Sequence, residues 1–459
     1  VVTLDTAANN FVGAVSLTAG DVTLVDADRL IFGSSSIAGD LFVTTFGSLA
    51  QGGVSQIGPI EVVGDAVFVA DSGSGQMATM VDSNDFQGLV RFVEVRGGSW
   101  ASVDIADAND LNAELNVTGD ANLQAAQSLA FSGAVDNLNL VSGTSTSLGA
   151  TTTNGTLSIA GDGDVTQTGP LSVGSTTTVS AGTGNILFDD TRNTFGAPLN
   201  LAANNVSVGA ASGPLQIETN TGTTAGSGIS GRLDLTLLQG SPSVNTNGTD
   251  IQLGNVQVFD RAGTGAERFV LLTGGGDVSQ AANTNLTIFG QADVQAGAGS
   301  IDLSNSGNFF DQSIAVQAAS ANVNSSAALV MSSLNITGNL SLATSSYIDI
   351  GSATVIGGDL TLQSVGDLSI DEAAIGGSLN LTSSSGEITL GAPGCSKTPC
   401  IDVDDTLSLS ASSNITFAAS LSANTLSASS TNGDIVQTAA GSLQVAAAAS
   451  FTASSGDVL

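Results

Sequence analysis

Aliphatic and polar residues alternate along this chain in short runs, and the runs recur. Ile336-Thr-Gly-Asn-Leu340-Ser-Leu342 returns as Ile356-Gly-Gly-Asp-Leu360-Thr-Leu362 and again as Ile375-Gly-Gly-Ser-Leu379-Asn-Leu381, at offsets of 20 and 19 residues. The same i, i+2 spacing marks Leu157-Ser-Ile159, Val206-Ser-Val208, Leu233-Asp-Leu235-Thr-Leu237, Ile251-Gln-Leu253 and Leu407-Ser-Leu409. A period of two is a strand with one buried and one wet face. A turn-plus-strand unit that returns every 19–20 residues predicts a β-solenoid of roughly 20 coils, all-β, running through residues 1–459 as one body. Gly-Asp, Asn-Gly and Ser-Gly pairs punctuate the runs where the chain must turn. Even Ala446-Ala-Ala-Ala-Ser450 reads as strand, because Phe451-Thr-Ala-Ser-Ser-Gly follows it.

A longer period overlies the coil. Gly47-Ser-Leu-Ala-Gln51, Gly163-Asp-Val-Thr-Gln167, Gly276-Asp-Val-Ser-Gln280 and Gly433-Asp-Ile-Val-Gln437 share one pattern, with Gln-to-Gln spacings of 116, 113 and 157. An Asn-x-Phe follows each of the first three, ending at Phe86, Phe195 and Phe310, and a further copy ends at Phe11. These landmarks divide the chain into super-repeats at about 1–46, 47–162, 163–275, 276–432 and a partial 433–459. The motif is expected to be structural, with Phe filling a wider coil and Asn bonding to a turn backbone. Four segments that break the coil period are expected to protrude as loops: Ser72–Asp85, Thr219–Ile229, Phe259–Glu267 and 391–402.

Stacked coils pair at about 4.8 Å, so roughly 20 of them would span on the order of 100 Å. Stacking satisfies backbone groups everywhere except at the two ends, which are raw sheet edges. Self-association, end to end or laterally into fibres, is the partner expectation. The chain opens and closes in mid-pattern and shows no signal peptide, so it reads as a piece of something longer.

Composition supports this picture. There are 57 Gly and 7 Pro, and the aromatics are 17 Phe with a single Trp (Trp100) and a single Tyr (Tyr347). A core of Val, Leu, Ile and Ala suits a narrow interior. Against 41 Asp plus Glu stand 8 Lys plus Arg and no His, a formal charge of −33. Nucleic acid is excluded as a partner, since phosphate contacts need clustered cations. Anionic membrane surfaces are disfavoured for the same reason, and no apolar run reaches the 18 or so residues of a membrane span. Cys395 and Cys400, five apart across a Pro/Gly segment, predict one local disulfide and an oxidising compartment. Two Cys without His cannot close a zinc site.

Catalytic equipment is sparse. No nucleophile and base can be paired without His, which leaves carboxylates such as Asp189-Asp190, Asp26-Ala-Asp28 and Asp104-Ile-Ala-Asp107. A glycosidase wants two acids across a cleft, and sugar stacking wants aromatics this chain lacks. Thr151-Thr-Thr153 and Thr176-Thr-Thr178 alone approach an ice-binding ladder. No cofactor is expected. Calcium suits the acids better: Asp402, Asp404 and Asp405 offer hard oxygens beside the predicted disulfide, against the plainer reading that they are solvated turn residues.

Phrases such as Gly163-Asp-Val-Thr-Gln-Thr-Gly-Pro-Leu171-Ser-Val and Asn9-Asn-Phe-Val-Gly-Ala-Val-Ser-Leu17 resemble the repeat regions of large filamentous-haemagglutinin-like bacterial adhesins of the two-partner-secretion type. The resemblance implies a right-handed parallel β-helix, export to the cell surface of a Gram-negative bacterium, and roles in adhesion, matrix or filament formation. It brings no catalytic residues with it. The resulting expectation is a structural shaft, with host or neighbouring-cell glycans as candidate partners. A carbohydrate-binding or carbohydrate-active β-helix is the alternative, signalled by a groove lined by Trp100, Tyr347 and paired acids.

Overall fold

The structure is a computed structural model. It describes every residue except 48–51, 213–214, 219–228, 261–262, 264–265, 352–353, 393–394 and 396. Every strand pairing among the described residues is parallel, no helix occurs among them, and the fold is a right-handed parallel β-solenoid of about 21 turns. The chain forms two compact units, Val1–Ala211 with Asn220–Gly231, and Ser212–Thr219 with Arg232–Leu459.

The repeat that marks the sequence is a coil of the second unit. Strands Leu340–Thr344, Ile348–Ile350 and Thr354–Ile356 make one turn, and Leu360–Ser364, Leu368–Ile370 and Ala373–Ile375 make the next. Each strand pairs with its counterpart one coil on: Leu340 with Leu360 and then Leu379, Ile336 with Ile356 and then Ile375. Alternation decides which side chains meet. Leu340, Leu360, Leu379 and Leu407 stack in the interior at no more than 1 % exposure, while Ser341, Thr361, Asn380 and Ser408 stack outside. Like residues therefore form columns.

Coil length is not constant. In the first unit Leu41 pairs with Ala66, an offset of 25, whereas Leu129 pairs with Thr146, an offset of 17. The shorter coils fuse two strands into one, as in Leu129–Val135, where Gly133 has a φ of +128° and lies opposite an extra residue of the next strand, Thr146–Thr153. In the second unit Leu379 pairs with Leu407 across 28 residues, and the excess is the cysteine segment.

One expected loop is instead a strand. Residues Gln76–Phe86 form 11 residues of strand, paired with Gly53–Gln56, Ile60–Val62 and Trp100–Asp107. Its period is hidden in the sequence because two inward positions carry polar residues, Gln76 and Asn84, each 0 % exposed. Of the other expected loops, 219–228 lies outside the described residues, and Phe259, Asp260, Gly263, Ala266 and Glu267 lie outside any strand. Ile401 and Asp402 already belong to the strand Ile401–Ala411. Residues 446–450 are strand as read, within Ser442–Ala453.

Candidate functional site

Two hydrogen-bonded devices recur along the solenoid, and the first is built from asparagines and glutamines of the long repeat. The first is a clasp between amides. Asn193 sits on an inward position at 0 % exposure, where a bare carboxamide must find partners. Its Oδ1 accepts from Gln167 Nε2 at 3.0 Å and from the Leu171 N–H at 2.8 Å, while its Nδ2 donates to Gln167 Oε1 at 2.9 Å and to the Phe188 and Gly209 carbonyls at 3.1 Å each. Asn308 repeats this with Gln280 at 2.7 and 2.9 Å, with the Leu286 N–H and with the Leu303 carbonyl.

Asn84 repeats it again, but with Gln56, in two bonds of 3.0 Å. The landmark expected at Gln51 lies outside the described residues, and the clasp is made five residues later, by Gly52-Gly-Val-Ser-Gln56. With Gln56 in place, the first three copies stand 111 and 113 residues apart (56 to 167, 167 to 280). Gln437 is exposed, and its side chain donates to the Gly441 carbonyl rather than to an asparagine. Asn9 keeps part of the pattern, donating to the Leu4 carbonyl.

The phenylalanines of the motif differ. Phe86 and Phe310 fill the interior as expected, whereas Phe11 and Phe195 are half-buried. A buried carboxylate caps two of them. Asp107 accepts from the Phe86 N–H and from the Asn109 N–H at 2.8 Å each, and Asp26 does the same for Phe11 and Asp28 at 3.0 Å. Burial is the larger influence on both and pushes these carboxyls above their ordinary value, against the N–H bonds that lower it. Sequence reasoning saw Asp26 and Asp107 only as members of acid pairs. The usable signal is the position of each: Asp26 one residue, and Asp107 one residue, before an Ala whose N–H bonds to the Asn9 or Asn84 carbonyl.

The second device is a ladder at the turns. Asp21 Oδ1 accepts from the Asp40 N–H at 3.3 Å, Asp40 Oδ1 from the Asp65 N–H at 2.9 Å, and Asp65 Oδ1 from the Leu89 N–H at 2.9 Å. Asp120, Asn137 and Thr156 continue it in the first unit, and Asp234, Asn255 and Asn285 or Asn339, Asp359 and Ser378 form it in the second. Each Asx side chain accepts from a backbone N–H of the next coil, and Asp21, Asp40, Asp65, Asn339 and Asp359 do so from the position just before a strand. Much of the acidity is thus structural.

The cysteines, the acids beside them and the two large aromatics belong to neither device. Cys395 and Cys400 are joined, with Cys400 buried and its N–H bonded to Ser420. Asp402, Asp404 and Asp405 lie on the outer face of one strand, where Asp405 receives Ser378 Oγ at 3.4 Å. Among the described residues no group of three or more His, Cys, Asp or Glu side chains is placed to hold a metal ion, so these three do not converge. Trp100 is 0 % exposed, edge-on to Phe92 at 5.1 Å, so it presents no surface for a sugar, and Tyr347 is exposed.

A family profile of repeats of unknown function, DUF5649, matches residues 19–93, 135–202, 261–317 and 404–459, together more than half of the chain. The chain belongs to this family. Each DUF5649 match contains one glutamine of the series, Gln56, Gln167, Gln280 or Gln437, and the first three contain its asparagine as well. The clasp is therefore a landmark of the DUF5649 repeat in this chain. Comparison with curated proteins and with solved structures finds no match.

Proposed function

We propose that this chain is part of the structural shaft of a secreted, cell-surface protein of the filamentous-haemagglutinin-like type, acting in adhesion, matrix or fibre assembly without catalysis. The observation that carries the reading is that the specialised residues serve the coil itself. The buried amides close clasps between coils, the acids cap turns of neighbouring coils, and like side chains stack in columns. A protein built for chemistry concentrates its unusual residues in one place; here they are distributed at the repeat period. The Cys395–Cys400 disulfide supports an oxidising, extracellular setting.

Negative-stain electron microscopy of the purified chain, with and without a chelator, tests the assembly role. Fibres or ordered lateral arrays that persist in chelator are the expected result. Monodisperse single particles at every concentration would count against assembly, and arrays that dissolve on chelation would restore the calcium reading of Asp402, Asp404 and Asp405.

A further inference from the structure

Three clasps of the amide series close within the chain, and two members of the series hold half a clasp each. From glutamine to asparagine the step is 28, 26 and 28 residues (56 to 84, 167 to 193, 280 to 308). Counted in the same way, the glutamine for Asn9 and the asparagine for Gln437 both fall outside residues 1–459. Each half keeps the shape it has in the closed clasps.

On the asparagine side, Asn9 Nδ2 donates to the carbonyl five residues back, at Leu4, as Asn193 does at Phe188 and Asn308 at Leu303. The Asn9 carbonyl accepts from the Ala27 N–H of the next coil, as those of Asn84, Asn193 and Asn308 accept from Ala108, Ala211 and Ser326. Asp26 holds the Phe11 N–H as Asp107 holds that of Phe86. What Asn9 lacks is the share that a glutamine coil supplies, and its Oδ1 accepts no bond among the described residues. On the glutamine side, Gln437 Nε2 donates to the Gly441 carbonyl, and Leu443 follows two residues on. Gln56 with Gly58 and Ile60, Gln167 with Gly169 and Leu171, and Gln280 with Thr284 and Leu286 repeat that arrangement. In all three the N–H of Ile60, Leu171 or Leu286 donates to the asparagine. Gln437 Oε1 accepts no bond among the described residues.

The groups missing from one half are those that the other displays. Asn9 offers a carboxamide held by its own coil and the next, with Oδ1 open. Gln437 offers a carboxamide held by its own turn, with Oε1 open and Leu443 placed as Leu171 is in the closed clasp. We infer that a second copy of this chain seats its Asn9 coil on the Gln437 coil of the first and closes a further clasp between the two chains. This contact rests on the assembly role proposed above and would set its register. A bare sheet edge does not choose between registers two residues apart, whereas an amide that must meet a glutamine and a backbone N–H together does. The seam is an exchange of strand for strand. Val2 precedes Asn9 by seven residues as Ile186 precedes Asn193, and Val458 bridges to Ile435 as Ile186 pairs with Val165. Val1–Thr3 of the incoming copy and Asp457–Leu459 of the first therefore claim the same stretch of coil, and one set gives way to the other. Each partner contributes a different surface, so the contact is heterologous and can repeat from copy to copy.

The test is analytical ultracentrifugation of the full 459-residue chain, alone and in mixtures. The parent should associate stepwise as its concentration rises. Gln437→Ala and Asn9→Ala, each by itself, should weaken association by about tenfold or more at an unchanged unfolding midpoint, because every contact then lacks one half of its clasp. Mixed in equal amounts, the two variants should recover the parent's affinity and stop at dimers. The mixture holds one intact combination, Gln437 from the Asn9→Ala copy with Asn9 from the Gln437→Ala copy. Asn122→Ala, on an outer column of the first unit, should associate as the parent does. Variants at positions 9 and 437 that associate at the parent's strength would overturn the inference and leave the assembly role standing. So would a mixture no more associated than either variant alone. A parent that stays monomeric at every concentration would overturn both.

Discussion

Gln167 and Asn193, 26 residues apart, exchange two hydrogen bonds across successive coils, at 3.0 and 2.9 Å. The exchange is reciprocal: each amide gives one donor and takes one acceptor. Because Asn193 is wholly buried, it also ties together three backbone groups, the Leu171 N–H and the Phe188 and Gly209 carbonyls. A solenoid coil otherwise slides by two residues without exposing its core face. A buried amide with five fixed partners fixes the register at that point.

Truncating the clasp should therefore be costly on one side and mild on the other. Asn193→Ala or Asn308→Ala leaves several buried backbone groups without partners and is expected to destabilise by about 3–5 kcal/mol. Gln167→Ala leaves the asparagine its backbone bonds and should cost about 1–2 kcal/mol. Gln437→Ala, on an exposed residue with one bond to Gly441, should lie within about 0.5 kcal/mol of the parent. Denaturant melts give the ranking. Hydrogen exchange should localise the loss to the coils flanking residue 193, since repeat stability is a nearest-neighbour sum.

The ladder residues separate a hydrogen bond from a charge. Asp21, Asp40 and Asp65 stack three carboxylates one coil apart, each bonded to an N–H above. At about 4.8 Å in water, two such charges repel by about 1 kcal/mol. Asp40→Ala removes the cap and should destabilise by about 1 kcal/mol. Asp40→Asn keeps the acceptor and relieves the repulsion, so it should be neutral or stabilising. Raising ionic strength should stabilise the parent more than Asp40→Asn, because screening acts on the term that the substitution deletes.

Much of this was legible in the sequence. Ile336, Ile356 and Ile375, spaced 20 and 19 apart, stack in the register their repetition implies. Asn-x-Phe marked the asparagines correctly because three buried copies share one local geometry. The glutamine that meets Asn84 is Gln56, five residues after the repeat landmark at Gln51, and since Gly47-Ser-Leu-Ala-Gln51 and Gly52-Gly-Val-Ser-Gln56 fit the same short pattern, only the contact across coils picks it out. The strand Gln76–Phe86 was missed because Gln76 is satisfied inside the coil by Thr45 and Gly73, a compensation that no local pattern displays. The ladder was seen only as turns. Its bonds join residues 17–30 apart, and the sequence shows each Asx without its neighbour above.

The buried carboxylates set the direction of the pH response. Asp26 and Asp107 are raised chiefly by burial, and Asp371 by burial and then by the Asp349 charge. A carboxyl whose folded value lies above its unfolded one destabilises the fold at neutral pH, and the loss disappears as pH falls through the folded value towards the unfolded 3.8. Asp190, bonded to Arg192, and Asp277, bonded to Ser300, are lowered instead, and their contribution is lost only below that value. Thermal midpoints should accordingly rise from pH 7 to about pH 5 as self-repulsion also declines, then fall in stronger acid. Asp371→Asn should stabilise at pH 7 by up to about 1 kcal/mol and show a smaller gain on acidification.

Three glycines distinguish conformational need from space. Gly133, at φ +128°, lies where the pairing with the next strand shifts register, and a Cβ there would stand 1.9 Å from the Leu115 carbonyl oxygen of the coil below. Backbone cannot yield at that distance without breaking the pairing of Leu115 with Gly133. Gly133→Ala should cost about 3 kcal/mol or more, with protection lost in the strands on either side. Gly248, at φ +95°, has nothing within 4 Å of such a Cβ, so Gly248→Ala should carry only the torsional penalty of about 1 kcal/mol. Gly20 has neither constraint, and Gly20→Ala should be neutral or slightly stabilising through the unfolded chain. Equal effects at positions 133 and 248, measured by denaturant midpoint, would show that contact between coils does not govern the choice of glycine at 133.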